Sequence, residues 1–140
     1  MIAALTLAKY IITKCTVENC PISNLQLQKI LYYIQVYFLQ KNGYPIFPDE
    51  IEAWQFGPVV PNVYYHFCGF GAMPIISQYD QTDKLIADED VDSIVKEKRA
   101  LNPWDMVEET HKDNGPWKII YKNGEGNHSV IPTDLMKNNG

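Results

Sequence analysis

The segment Asn24 to Gln40 carries the clearest pattern of apolar and polar positions in the chain. From Leu27 onward, apolar side chains return at Ile30, Leu31, Ile34, Tyr37 and Phe38, the three- and four-residue spacing of one helix face. Leu25, Tyr33, Val36 and Leu39 widen that face around most of the circumference, which predicts a helix enclosed by other elements. Gln26, Gln28, Lys29 and Gln35 interrupt it too often for a membrane span, which needs roughly 20 mostly apolar residues. Both ends are marked. Ser23 and Gln26 have capping-box spacing, Ile22 and Leu27 that of a hydrophobic staple, and Asn42, Gly43 and Pro45 halt the helix. The expected helix covers residues 24–41.

A first helix is expected from Ala3 to about Thr16, with Ala4, Leu5, Ala8, Ile11, Ile12 and Cys15 on one face. The short link through Cys20 and Pro21 predicts antiparallel packing on the central helix. Ile51 to Phe56 alternates and reads as a short strand, broken by Gly57 and Pro58. Pro61 suits the first position of a third helix with Val63, Tyr64 and Phe67 inward, ended by Gly69 and Gly71. Pro74 to Ser77 is a weak second strand beside the first.

Further on, Asp88, Glu89 and Asp90 open a helix that Lys96, Lys98 and Arg99 close, the order its dipole favours, with Val91, Ile94 and Val95 buried. Asn102 and Pro103 start another, reaching His111 with Met106 and Val107 inward. Asn114 to Pro116 reads as a turn, Asn123 to Asn127 as a glycine-rich loop, Ser129 to Ile131 as a short strand, and Thr133 as the cap of a last helical turn. The sum is a mainly α, α+β fold: a single-domain helical bundle, residues 1–140, around a buried central helix with a small short-stranded sheet.

Charge narrows the functions. Twelve basic residues against 17 acidic ones give a net charge of −5, which argues against a grip on nucleic acid through phosphates. The acids concentrate at Asp80, Asp83, Asp88, Glu89, Asp90 and Asp92, opposed locally by Lys84, as a solvated face or as a docking surface for a basic protein. Nine tyrosines supply aromatic area for a core or for an interface. Three cysteines, Cys15, Cys20 and Cys68, form no CxxC pair, which fits a reduced cytoplasmic setting. The N-terminus lacks a basic leader and a cleavage site and reads as helix.

No catalytic or metal-binding set emerges. His66, His111 and His128 stand on different elements without metal-ligand spacing, and Cys68 lacks an activating base because His66 points elsewhere on its helix. The glycine pairs at Gly69 and Gly71 and at Gly124 and Gly126 lack the lysine and hydroxyl residue of a phosphate loop. No cofactor is expected.

Four separated strings do form a recognisable set. They are Leu27-Gln28-Lys29-Ile30-Leu31-Tyr32-Tyr33, then Glu52-Ala53-Trp54 with Gly57-Pro58-Val59-Val60-Pro61 and Val63-Tyr64, then Thr110-His111, and then Pro116-Trp117 with Tyr121 following. In that order they closely resemble the signature of the Panacea domain, the SocA-like antitoxin or GepA-like phage-associated family. The resemblance runs from about Leu5 to Ile131. It implies a mostly helical domain with a small sheet, found in phages and bacterial toxin–antitoxin pairs, that neutralises toxins of unrelated kinds by binding them. It implies no catalytic site. Relatives often carry an added DNA-binding segment or a further C-terminal helix. No DNA-binding segment is evident here, so regulation of its own operon is not expected, and the chain's short C-terminus implies that toxin contacts made there by relatives are absent or altered.

The expectation is a non-enzymatic antitoxin-like protein that binds a toxin or other protein, with Tyr32, Tyr33, Trp54, Phe56, Tyr64, Tyr65, Asp88 and Asp90 as candidate partner contacts. Gln28, Lys29, Gly57, Pro58, Thr110, His111, Pro116 and Trp117 are the signature residues with a structural reading. Two alternatives are a phage-encoded inhibitor of a host defence nuclease, its acidity mimicking nucleic acid, and an enzyme with an unrecognised pocket.

Overall fold

The computed structural model describes residues 1–80 and 88–140. Expectations attached to Asp83 and Lys84 lie outside the described residues. Within them the fold is mainly helical with one small antiparallel sheet. The helices are α1 (Ala4–Val17), α2 (Asn24–Asn42), α3 (Pro61–His66), α4 (Glu89–Arg99), α5 (Pro103–Thr110), α6 (Pro116–Tyr121) and α7 (Thr133–Asn139). The strands are β1 (Glu52–Trp54), β2 (Gly57–Val59) and β3 (Ser129–Val130), in the order β2-β1-β3.

Helix α2 is the hub, with α1, α3, α4, α5, α7 and β2 all packed against it. Leu27, Ile30, Leu31 and Ile34 have no exposed surface, and Phe38 and Leu39 are also buried. Each such side chain contributes roughly 1.5–3 kcal/mol on leaving water. Its ends are built as expected. The Ser23 hydroxyl accepts from the Gln26 amide while Gln26 Oε1 accepts from the Ser23 amide, and Gly43 stops the helix at φ +81°.

The strand pairing departs from the alternation pattern. Gly57 and Pro58 do not break the sheet but form β2, folded back on β1 with Trp54 opposite Gly57, Ala53 opposite Pro58 and Glu52 opposite Val59. A proline is tolerated because β2 lies at an edge and need not donate on that side. The third strand is β3, which sets Ser129 against Ala53 and Val130 against Glu52.

Pro74 to Ser77 is not a strand. It is an extended segment whose Ile75 is fully buried and donates its backbone N–H to Ile22 O at 2.8 Å, tying it to the α1–α2 link. The expected turn at Pro116 is the first residue of helix α6, and the expected last turn at Thr133 extends to a seven-residue helix. Its cap is Pro132, which makes no side-chain cap bond.

Candidate functional site: the signature core and an aromatic cleft

Four polar side chains of α2, Asn24, Gln28, Lys29 and Gln35, are buried. A buried amide is costly unless every hydrogen-bonding group finds a partner, and here they read backbone. Gln28 Nε2 donates to Asn24 Oδ1 at 2.9 Å, while Gln28 Oε1 accepts from the Val60 amide at 2.9 Å. Asn24 Nδ2 donates to Tyr64 O at 3.1 Å. Gln35 grips the segment before β1, donating to Phe47 O at 3.0 Å and accepting from the Ile46 and Phe47 amides. The amides that interrupt the apolar pattern of α2 are therefore clamps on the chain that passes over it.

Lys29 is the least expected of the four. It has no exposed surface and donates from Nζ to Pro58 O at 3.4 Å. Burial pulls its pKa down to about 7. Gly57 sits on top of it at φ +121°, where a Cβ would lie 2.7 Å from Lys29 Cε and 3.0 Å from Thr110 Oγ1. Both the backbone angle and the close approach require glycine.

The two later strings close over the same point. The Thr110 hydroxyl donates to Val107 O at 2.9 Å. His111, at the end of α5, stacks on Trp117 with centroids 3.5 Å apart and planes 3° from parallel. Trp117 stacks in turn on Tyr121 and donates from Nε1 to Trp54 O at 2.7 Å. His111 Nε2 is buried with no hydrogen-bond partner among the described residues. Desolvation, with the Lys29 and Lys118 charges behind it, lowers its pKa to about 4 against an opposing bond to the Phe56 backbone. Gln28, Lys29, Gly57, Pro58, Thr110, His111 and Trp117 thus come together in one packed assembly, with Pro116 at the first position of α6 aiming Trp117 into it.

Outside this assembly lies a cleft of about 500 Å³. Gln28 and Lys29 line its inner end, and Trp54, Phe56, Tyr64, Trp104 and His128 line its walls and mouth. The Trp54 ring stacks on His128 at 4.3 Å, meets Tyr64 edge-on at 5.0 Å, and donates from Nε1 to Glu52 Oε1 at 2.9 Å. At the mouth Phe56 and Trp104 form an edge-to-face pair, 48% and 60% exposed. Tyr65, 60% exposed, stands beside Trp54 and Tyr64.

Of the expected partner contacts, Trp54, Phe56, Tyr64 and Tyr65 share this face. Tyr32 lies in the core at 5% exposure. Tyr33 is half-buried, donating to Glu109 at 2.9 Å beneath the Lys98 ammonium. Asp88 caps α4, accepting from the Asp90 and Val91 amides, and Asp90 pairs with Lys41. Neither acid lines the cleft. Trp104 is the contact that the sequence reading missed. Its signal was Asn102-Pro103, a cap and first-turn proline that fix the start of α5 and leave the next residue outward.

No group of three or more His, Cys, Asp or Glu able to hold a metal occurs among the described residues, and none of their helices is long and apolar enough to cross a membrane. No solved structure matches the chain. It is 32% identical over 136 residues to Antitoxin SocA of Caulobacter vibrioides, spanning 88% of this chain and 72% of that protein. The family described as antitoxin SocA-like, Panacea domain, matches residues 27–118, the stretch that begins with the α2 string and ends at α6. The chain belongs to the SocA-like antitoxin family and carries its Panacea domain.

Proposed function

We propose that this protein is an antitoxin that captures a toxin by direct protein contact at the aromatic cleft and needs no chemistry of its own. The observation that carries the reading is the exposure of Phe56, Tyr65 and Trp104 on a frame that lies within the stretch matched by the family. Large aromatic side chains held rigidly at a surface are the usual anchors of protein interfaces, because they lose little conformational entropy on binding. Mimicry of nucleic acid against a nuclease draws less support, since Asp88 and Asp90 are engaged in a helix cap and an ion pair. Three free cysteines fit action in a reducing cytoplasm.

The test is co-expression with the toxin encoded beside it. Growth is restored by the intact chain, and the two proteins elute together on gel filtration. Failure of both rescue and co-elution would reject the reading.

A further inference from the structure

The cleft differs in charge from the rest of the molecule. The chain has 17 acidic residues, yet no Asp or Glu is among the described residues that line this cleft. At its inner end stands Lys29, fully buried, with no carboxylate within ion-pairing distance among the described residues. Its hydrogen bond to Pro58 O, at 3.4 Å, is long and uncharged at the acceptor. Buried cations are ordinarily paired, because one without a counterion costs several kcal/mol or sheds its proton. Burial already favours the neutral form of Lys29, and an anion arriving through the cleft, the side that opens to solvent, would hold it in the charged form.

The walls indicate what brings it. Trp54, Phe56 and Trp104 offer apolar area, with no further lysine or arginine among the described lining residues. A nucleic-acid phosphate would find one sealed cation in an acidic protein, far too little for binding through the backbone. A group that is apolar on one side and singly anionic on the other fits both features. The volume, about 500 Å³, lies in the range of sites that enclose a drug-sized ligand, so a few side chains fill it.

We infer that the cleft receives a protein segment whose large apolar side chain lodges against Phe56 and Trp104 while a neighbouring carboxylate points toward Lys29. This inference rests on the reading that the chain acts by binding a protein. A lysine or arginine at the same place meets the like charge of Lys29, so the cleft discriminates by rejection as well as by attraction.

Random peptides displayed on phage and panned on the intact chain test this. The enriched sequences pair a large apolar residue with an adjacent Asp or Glu. Synthetic versions bind about tenfold more tightly than those with lysine in place of the acid, with the glutamine versions between. Lys29→Met, checked for folding by circular dichroism, abolishes the preference of acid over glutamine, and Trp104→Ala weakens all the peptides alike. If Lys29→Met does not fold, the peptide series on the unaltered chain and Trp104→Ala decide the matter. Absence of enrichment, equal binding of acidic and lysine peptides, or an acid preference that survives in Lys29→Met overturns the inference. Where the chain nonetheless rescues growth from its toxin, the carboxylate chemistry alone fails and the antitoxin reading stands.

Discussion

The inner assembly and the outer cleft are made from the same short strings, yet they face opposite demands. Gly57 presses on Lys29 and Thr110 inside the protein, while its neighbour Phe56 stands 48% exposed. Trp117 is 6% exposed and hydrogen-bonded, while Trp104 is 60% exposed and stands edge-to-face with Phe56. A β-hairpin turns successive side chains to opposite faces, so one tight bend supplies a lock on one side and a contact surface on the other. Recurrence of a residue within such a string therefore says little about whether it holds the fold or touches a partner. Exposure separates the two.

Substitutions on the inner side break this contrast most strongly. Trp117→Ala removes two ring stacks and the bond to Trp54 O and is expected to cost about 3–5 kcal/mol in chemical denaturation. Gly57→Ala follows, at about 2–3 kcal/mol, since it forces an L side chain to φ +121° against Lys29.

A smaller effect comes from pH. Lys29 titrates near 7 in the folded protein against roughly 10.4 when unfolded, so the unfolded chain holds more protons between those values and stability rises with pH across that window. The gain is roughly 1–2 kcal/mol from pH 7 to 8.5, read as an increase in Tm, and Lys29→Met removes it. His111, lowered to about 4, acts in the same sense below the Lys29 window: stability falls as pH drops from about 6.5 toward 4.

On the outer side the order reverses. Phe56→Ala and Trp104→Ala change stability by no more than about 0.5 kcal/mol, as exposed positions do, while weakening toxin rescue and co-elution. Loss of fold in Trp104→Ala, or full rescue by the double variant, would erase the distinction between the two sides.

Much of the frame was legible because its signals are local. The α2 boundaries follow from the Ser23–Gln26 box and from Gly43, and α5 from Asn102 and Pro103, all contacts within a few residues. The strand β2 was hidden because Gly57 and Pro58 are breakers in isolation. Only an edge position and a partner strand make them a strand. Helix α6 was hidden in the same way, its first-position proline resembling a turn after Gly115. The clamping roles of Asn24, Gln28 and Gln35 depend on backbone that arrives from elsewhere in the chain, which no periodicity encodes. The candidate site was half legible. Trp54, Phe56, Tyr64 and Tyr65 lie in or beside strings that could be read together, whereas Trp104 joins them only through the packing of α5 near the hairpin.

The three tryptophans also give the protein its own optical gauge. Trp54 and Trp117 each lie flat on an imidazole, of His128 and His111, while Trp104 faces water. A water-exposed indole emits at longer wavelength than one packed among other rings, so Trp104 supplies the red-shifted part of the emission. Any occupant of the cleft mouth shifts that component toward the blue without a label, and protonation of the histidines leaves it in place.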